Sequence, residues 1–254
     1  MQSTVPQTFN LLHKDLWKKY LDTNGYVVIE NILNKDEYTD ILNVFKREWK
    51  EMCPHFDFND VETWRYENVE PLHSGFYYGM VNGHGFGQSD FQWKLRTNSQ
   101  IVKIWETVHN TTELVASMDG LSVFLSDKQE GIMYHTDQHP NDDLYSVQGA
   151  YNFFPVTLND SGFIVVPRSH KTFKSDASEE CKFICIQEED PHLREAVHLQ
   201  IPENCFVLWN SKTIHSSIGM ENKTNCFNRL TSYICFFPKK LRSQSVLQER
   251  IKGY

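Results

Sequence analysis

The chain has 254 residues, 40% of them hydrophobic, and a formal net charge of -8 at pH 7. This length is near the upper end of what one hydrophobic core supports, so we expect a single domain over residues 1–254, with two small domains as the alternative. The acidic balance disfavours a nucleic-acid-binding surface. The sequence therefore predicts a protein without a nucleic-acid partner.

Two further features bear on location. No apolar stretch approaches the ~20 residues that span a bilayer, and residues 1–10 lack the cationic start and apolar run of a secretory signal. The six cysteines contain no CxxC pair, which favours a reducing compartment. We therefore expect a cytoplasmic protein without a membrane partner.

Residues 1–52 predict two helices around one strand. Residues 15–24 carry apolar side chains at helical spacing, and a second helix begins at residue 34 or 35 and carries apolar side chains up to Trp49. The β-branched run 26–29 between them predicts a strand.

Residues 53–93 have no periodicity and are rich in glycine, histidine and aromatic side chains. An irregular segment this long in a compact domain is usually functional or disordered, and its aromatic content argues against disorder. We expect it to form a lid or a pocket wall. In and just after it, Arg65, Lys94 and Arg96 are candidates to meet an anionic substrate.

Residues 94–238 predict a helix followed by strands. The helix is expected at 101–115. The strands are short, rich in β-branched and aromatic residues and bounded by turn residues. Their expected ranges are 121–125, 145–154, 162–166, 181–186, 195–199, 205–209 and 230–237. Many short strands without βαβ alternation indicate a sandwich or barrel, the group that contains jelly rolls and cupins.

The remaining residues, 239–254, are predicted to form a polar tail. A basic run covers 238–242. In an acidic protein we interpret such a run as a solvated surface segment rather than a binding site.

His-x-Asp tripeptides occur three times, at residues 13–15, 55–57 and 135–137. On a strand, residues i and i+2 point to the same face and can reach one ion, whereas on a helix they do not face each other. The first copy lies where a helix begins, so Asp15 is explained as a cap or first-turn acid. The second lies in the irregular segment. The third follows one predicted strand and precedes another, which favours His135 and Asp137 as metal ligands.

A third ligand has to come from another strand. His215 follows the apolar strand 205–209 across a polar turn. The alternative histidines are His139, His170, His192 and His198. Two imidazoles and one carboxylate are the ligand set that holds non-haem Fe(II) on one face and leaves positions open for chemistry. An arginine shortly beyond the second histidine, such as Arg229, is what this kind of site needs to hold a dicarboxylate co-substrate.

Four segments, in this order, resemble the phytanoyl-CoA dioxygenase-like family of Fe(II)- and 2-oxoglutarate-dependent oxygenases. They are 131–137, 162–171 with its Val-Pro-Arg-Ser-His-Lys turn, 205–217 and 228–233. The resemblance covers residues 20–238, and Arg168 stands where the family usually has glycine. It implies a mainly β fold with flanking helices around a double-stranded β-helix core, which is a jelly-roll, cupin-like architecture.

The resemblance also implies roles for individual residues. It implies three iron ligands, which are His135, Asp137 and His215. Arg229 would pair with the distal carboxylate of 2-oxoglutarate, because a guanidinium fork matches a carboxylate and stays charged. Ser217 would add a hydroxyl contact to the same co-substrate. Gln148 and Asn152 share one strand face and are candidates for the co-substrate's other end, with plain polar positions on a half-exposed strand as the alternative.

The implied reaction consumes 2-oxoglutarate and O2, with ascorbate in support, releases succinate and CO2, and hydroxylates a small-molecule substrate. Asp137 favours hydroxylation over halogenation, because related halogenases lack this carboxylate. Two other functions stay open. One is a cupin-like metal enzyme that does not use 2-oxoglutarate, which Arg229 disfavours because such an enzyme has no need of a buried guanidinium. The other is a non-catalytic jelly-roll binding protein. The substrate and the oligomeric state are left undetermined.

Overall fold

The computed structural model describes residues 2–65, 68–69, 79–81, 85–124, 131–219 and 229–252. The α-helices in these residues are α1 Lys14–Asn24, α2 Lys35–Met52, α3 Asp90–Arg96, α4 Ser99–His109, α5 Ser169–Thr172 and α6 Gln244–Lys252. In this part of the chain, no helix combines the length and the apolar character needed to cross a membrane.

The described residues also form fifteen short strands. They are β1 Gln2–Thr4, β2 Thr8–Asn10, β3 Tyr26–Glu30, β4 Met80–Val81, β5 Leu114–Ala116, β6 Leu121–Phe124, β7 His135–Thr136, β8 Val147–Asn152, β9 Gly162–Val165, β10 Ile184–Cys185, β11 Val197–Leu199, β12 Cys205–Asn210, β13 His215–Ile218, β14 Arg229–Tyr233 and β15 Phe236–Pro238. The major sheet has the order β2-β3-β12-β8-β14-β6-β4, the minor sheet has the order β1-β11-β9-β13-β7-β10, and β5 pairs with β15.

The two larger sheets pack face to face, and helices α1 to α4 cover the outer face of the major sheet. Alternation along β12 shows this arrangement, because successive strand residues point to opposite faces. Phe206 and Leu208 belong to the large apolar cluster that contains Trp17, Trp49 and the other buried helix residues. Cys205, Val207 and Trp209 point the other way, into the cluster shared by the two sheets. The predicted mainly β, jelly-roll architecture with flanking helices is confirmed.

Local signals account for the first two helices. Gly25 ends α1 with φ 80°, in the left-handed region that glycine adopts without a steric penalty. Asn34 begins α2 with a capping box, since its side chain accepts from the Glu37 N–H while Glu37 accepts from the Asn34 N–H. Both helices were predicted within about three residues of their observed bounds.

The predicted helix 101–115 is wrong at its C-terminal end. Asn110 adopts the left-handed conformation (φ 51°) and ends α4. Residues Leu114–Ala116 then form β5, which pairs with β15. The spacing of apolar side chains is helical up to Val108. It carries no information about the pairing of the next apolar residues with a strand more than a hundred residues later in the chain.

Two predicted strands differ from the observed ones. The stretch 181–186 contains only the two-residue strand β10. The stretch 230–237 divides into β14 and β15, because the chain leaves the major sheet after Tyr233 to pair with β5. Leu125, the predicted end of another strand, lies outside the described residues. The predicted polar tail, residues 239–254, contains the helix α6.

Candidate metal and co-substrate site

A cavity of about 630 Å³ lies between the two larger sheets. This volume is within the roughly 300–1,000 Å³ that small-molecule sites occupy. The strands β8 and β14 supply its wall on the major sheet, and β9 and β13 supply residues on the minor sheet. All the metal and co-substrate residues predicted from the sequence line this one cavity: His135, Asp137, Gln148, Asn152, His215, Ser217 and Arg229.

The structure brings His135, Asp137 and His215 together on the minor sheet. His135 lies in β7 directly opposite His215 in β13, and Asp137 follows β7 immediately. His215 Nε2 is 3.2 Å from Asp137 Oδ2, and His135 Nε2 is 3.7 Å from Asp137 Oδ1. One ligand atom from each residue lies within 4.8 Å of the others. This is the one group of three such side chains found among the described residues with the proximity to hold a metal ion.

The other His-x-Asp tripeptides do not form such a group in the described part of the chain. Asp15 is the acidic residue in the first turn of α1, and Asp57 accepts the N–H of Asn59 in an exposed turn. The alternative histidines bond to groups elsewhere: His139 to Ala177, His170 to Asp22, His192 to Asp190 and His198 to Ser3.

Backbone carbonyls fix the orientation of both imidazoles. His135 Nδ1 donates to the Met133 carbonyl at 2.7 Å, and His215 Nδ1 donates to the Thr213 carbonyl at 2.9 Å. A carbonyl oxygen only accepts, so Nδ1 of each ring carries a proton and Nε2 is the ring atom left for a metal ion. Hydrogen bonds of this kind are the ones that orient metal-binding histidines.

The charges also suit a cation. Burial, together with the neighbouring His215, lowers the pKa of His135 from 6.5 to about 4, so this ring is neutral at pH 7. Burial would raise the pKa of Asp137, but hydrogen bonding and charge interactions, chiefly with His215, lower it to about 2. At neutral pH the site therefore presents the His135 lone pair and an ionised carboxylate to one point, and His215 Nε2 lies 3.2 Å from the same carboxylate. Converging acceptors repel one another until a cation lies between them, so the residues present fit a divalent metal ion.

Gln148 contacts the carboxylate of this group. It lies on β8, in the major sheet, and its Nε2 donates to Asp137 Oδ2 at 2.8 Å. The backbone N–H of Asp137 donates to the Ser211 carbonyl at 3.0 Å. The sequence singled out Gln148 for the co-substrate's other end, and the structure places its amide nitrogen on Asp137.

Arg229 is buried at the cavity wall, with 4% of its surface exposed. Its guanidinium donates to Ser161 Oγ at 2.9 Å and lies 4.9 Å from the centre of the Phe124 ring. None of the described carboxylates lies within ion-pair distance of it. Burial lowers its pKa, although a hydrogen bond with Tyr233 acts in the opposite direction. A buried guanidinium without a counter-charge is costly, and an anionic ligand would supply the missing charge.

Ser217 and Asn152 also line the cavity, with different capacity for a ligand. Ser217 Oγ accepts the N–H of Ile132 at 3.1 Å and retains its own hydroxyl proton for donation. The Asn152 amide donates to the Phe154 carbonyl at 2.6 Å and to the Pro202 carbonyl at 3.2 Å. Both amide protons of Asn152 are thus bonded to backbone carbonyls. These bonds explain a polar side chain at this position better than a contact with a ligand does.

The Val-Pro-Arg-Ser-His-Lys turn supports the chain next to His215. Ser169 Oγ donates to the Val166 carbonyl and accepts the N–H of Ile214, both at 2.8 Å. Arg168 adopts φ 68°, so it takes the left-handed conformation that favours glycine. The turn therefore keeps a glycine-like shape despite the arginine.

The three cations proposed to meet an anionic substrate are not at the cavity, which corrects that prediction. Arg96 is buried and donates to the carbonyls of Gly87 and Asp119. Lys94 pairs with Asp40 at 2.8 Å, and Arg65 pairs with Glu62 at 2.9 Å. Each of these side chains has a structural partner in its own neighbourhood, which sequence position alone did not reveal.

The segment 53–93 is only partly described. Within the described residues it contributes Met80 to the cavity, whereas its buried aromatic residues belong to the apolar cluster on the helix side of the major sheet: Phe56, Trp64, Phe86 and Phe91. Tyr66 and residues 76–78, on which much of the lid prediction rested, lie outside the described residues. The lid therefore stays a prediction.

Several residues that contact the predicted site residues were missed from the sequence. Ser161 binds Arg229 from 68 positions away. Phe183 stacks on His135 with ring centres 4.5 Å apart, and Trp209 and Phe163 flank His215. The alternation of strand β12 could have identified Trp209 as inward-facing, but no local signal pairs Ser161 or Phe183 with its partner.

Comparisons with known proteins agree with this architecture. No protein-family model matches the chain. Ava biosynthesis cluster protein O from Aspergillus versicolor is 25% identical over 269 residues, which cover 94% of this chain and 82% of that protein.

Solved structures of similar fold include the epimerase SnoN in complex with Fe3+, alpha ketoglutarate and nogalamycin RO, with a TM-score of 0.60, 14% identity, and coverage of 89% of this chain and 84% of that chain. Another is EctD from S. alaskensis with 2-oxoglutarate and 5-hydroxyectoine, with a TM-score of 0.64, 13% identity, and coverage of 95% and 81%. At these identities the likeness shows the fold, and membership of the phytanoyl-CoA dioxygenase-like family stays a prediction.

Proposed function

We propose that this protein is a non-haem Fe(II)- and 2-oxoglutarate-dependent dioxygenase that hydroxylates a small molecule. The observation that carries the proposal is that one cavity holds both a converging His-Asp-His group and a buried arginine to which none of the described carboxylates supplies a counter-charge. Either feature alone also occurs in proteins of other classes. Together they match a metal ion and a dianionic co-substrate that bridges the metal and the guanidinium.

In this proposal, His135 Nε2, His215 Nε2 and one oxygen of Asp137 hold Fe(II). When bound, the iron and the 2-oxo acid supply O2-dependent oxidative decarboxylation to succinate and CO2, with the oxidising power to hydroxylate an unactivated carbon. The protein's contribution is orientation and exclusion of bulk water. His135 and His215 are both at least nine-tenths buried, and their Nδ1 protons are fixed on backbone carbonyls. The rings are thus oriented before a metal binds.

Arg229 takes the distal carboxylate of 2-oxoglutarate in this proposal. A guanidinium offers two parallel N–H groups to a carboxylate, and a bond of this kind is strengthened by charge and by burial. Ser161 Oγ lies beside the guanidinium at 2.9 Å, and Ser217 keeps a hydroxyl proton for donation. These groups give the co-substrate a polar end in a cavity whose other walls are largely apolar.

The similar structures support this cofactor pair, because SnoN was solved with iron and alpha ketoglutarate and EctD with 2-oxoglutarate. SnoN is described as an epimerase, so the same fold accommodates another outcome. We propose hydroxylation. The oxygen isotope found in the product distinguishes hydroxylation from epimerisation. With 18O2 as oxidant, a hydroxylated product carries 18O, whereas a product isomeric with the substrate and free of 18O would indicate epimerisation instead.

The alternatives have less support from the geometry. A cupin-like metal enzyme without 2-oxoglutarate has no need for a buried guanidinium in its cavity. A non-catalytic binding protein has no need to fix two imidazoles on backbone carbonyls with both Nε2 atoms beside one carboxylate.

Turnover of 2-oxoglutarate tests the proposal. Purified protein given Fe(II), ascorbate and O2 is expected to convert 2-oxoglutarate to succinate slowly without substrate, and faster with the correct small molecule. A metal chelator should stop the reaction. No succinate above the rate of a His135→Ala, His215→Ala double variant, under any substrate screen, would contradict the enzyme assignment.

A further inference from the structure

We propose that Gln148 is a positioning residue for the metal site, which acts by holding the Asp137 carboxylate in the orientation of a one-oxygen ligand. This inference rests on the proposed function, because it assumes that Asp137 binds the metal. It differs from the role suggested by the sequence, in which Gln148 would contact the co-substrate.

The position of Asp137 is the starting point. Asp137 lies just beyond β7, which has only two residues, so little regular strand pairing constrains it. Its backbone N–H is bonded to the Ser211 carbonyl at 3.0 Å. That bond fixes the main chain, but it leaves rotation of the side chain to be fixed by something else.

Gln148 supplies that constraint from the opposite sheet. It lies on β8, an interior strand of the major sheet that pairs with β12 on one side and β14 on the other. Its Nε2 donates to Asp137 Oδ2 at 2.8 Å. The strand is held by neighbours on both sides, so the amide is presented from a rigid element to a carboxylate on a less regular one.

The direction of the amide follows from chemistry. An ionised carboxylate only accepts hydrogen bonds, so the nitrogen of Gln148 faces Asp137. The second amide proton has a longer contact, 3.5 Å, to Ser211 Oγ, which is itself 2.9 Å from Ser146 Oγ. Both amide protons thus have acceptors, and the nitrogen is not available to a co-substrate.

The consequence concerns how Asp137 binds a metal. A carboxylate with one oxygen held by an amide is disfavoured as a two-oxygen chelate, because chelation would rotate the group away from its donor. A one-oxygen ligand keeps three positions of an octahedral ion open, as a chelating co-substrate and O2 require. Partners of this kind affect metal affinity about 10- to 100-fold when they are removed.

Binding of Co(II) to the metal-free protein tests the inference without any need for turnover. Gln148→Leu is expected to weaken Co(II) binding about 10- to 100-fold and to change the visible absorption spectrum of the bound Co(II). Ser211→Ala, which removes the longer contact of Gln148 together with the Ser146 contact but leaves the bond to Asp137, should have a smaller effect. Gln200→Leu is the matched control, because Gln200 donates to Ser3 Oγ and is not a cavity residue. Its affinity and spectrum should equal those of the wild type.

Two further measurements keep the test decisive. Gln148→Met, which is unbranched, replaces Gln148→Leu if the latter fails to fold. In the 15N-labelled wild type, the side-chain amide protons of Gln148 should exchange slowly with solvent and shift on addition of Zn(II), and this needs no variant. The inference would be overturned if the folded Gln148 variants bound Co(II) with the affinity and spectrum of the wild type. It would also be overturned if the Gln148 amide protons exchanged fast and did not respond to Zn(II). If the wild type itself binds no Co(II), the proposed function fails as well, which is a different and recognisable outcome.

Discussion

The proposed metal ligands and Arg229 line the same cavity, but their surroundings are opposite in kind. Each proposed metal ligand is supported: His135 and His215 donate to backbone carbonyls, and Asp137 accepts from Gln148. Arg229 is equally buried, yet within the described residues its hydrogen-bond partners are hydroxyl groups and no carboxylate neutralises it.

This difference shows how the two ends of the cavity, the His135, Asp137 and His215 group and the Arg229 guanidinium, would recognise ligands. At the metal end the protein has fixed the orientation of neutral and anionic acceptors in advance, so affinity depends on geometry. At the Arg229 end it maintains a buried charge, so affinity depends on relief of an unfavourable state. Mutations should therefore weaken metal binding at one end, and at the other end should weaken co-substrate binding without loss of stability in the free protein.

The largest expected effect comes from removing a ligand. Asp137→Ala or His215→Ala should weaken Fe(II) or Co(II) binding by more than ~100-fold, beyond the range for the supporting residues of a metal site, as measured by competition titration. His55→Ala is the control, because His55 is exposed and does not line the cavity. Loss of binding in His55→Ala, with retention in Asp137→Ala, would show that the wrong tripeptide has been assigned.

The next effect separates the two ends. Arg229→Met should weaken binding of 2-oxoglutarate to the Co(II) protein about 30-fold or more, since loss of one partner from a buried charge pair costs roughly 2–5 kcal/mol. Co(II) affinity should stay unchanged. The metal-free variant should unfold with a free energy equal to or about 1 kcal/mol above that of the wild type, because an uncompensated buried charge has been removed. Clear destabilisation of the metal-free variant would mean that Arg229 has a counter-charge in the protein.

Protonation of His135 gives a third, smaller effect at the metal end. Its pKa is about 4 in the folded protein against 6.5 ordinarily, so between these values the unfolded chain binds more protons than the folded one. The free energy of unfolding of the metal-free protein should therefore rise with pH across this interval, by up to ~1.4 kcal/mol per unit, and fall as the solution is acidified. His135→Gln should flatten the slope in denaturant titrations from pH 4 to 6.5. An identical slope in both proteins would show that His135 titrates normally.

The smallest effect concerns the turn that supports His215. Arg168→Gly should relieve the left-handed strain at φ 68°, which costs roughly 1–2 kcal/mol, while the greater freedom of glycine in the unfolded chain offsets part of the gain. We expect a net gain of about 0.5 kcal/mol in thermal unfolding, with Co(II) affinity unchanged. A loss of stability would show that the arginine side chain contributes contacts that outweigh the strain.

The sequence predicted the architecture and the first two helices closely because their signals are local. The capping box at Asn34 and the glycine after α1 mark helix ends directly in the sequence. The apolar runs that became β12 and β14 likewise carry their strand character in the sequence. The choice of His135 and Asp137 among three tripeptides used only neighbouring strands, and the structure brings these two residues to His215.

What the sequence did not predict depends on distant partners. The strand β5 was assigned to a helix because its partner β15 follows more than a hundred residues later. The contact of Ser161 with Arg229 and that of Gln148 with Asp137 join separate segments of the chain. The charge of Arg96 is visible in the sequence and favours a substrate contact, whereas its carbonyl partners are not visible there.

The most direct test of the central claim is a crystal soaked without oxygen in Fe(II) and a non-reactive analogue of 2-oxoglutarate, with the iron located by anomalous scattering. We expect a single iron bound by His135 Nε2, His215 Nε2 and one oxygen of Asp137, with the analogue chelating the iron and its far carboxylate on Arg229. Iron at another position, or an analogue whose far carboxylate lies away from Arg229, would contradict it.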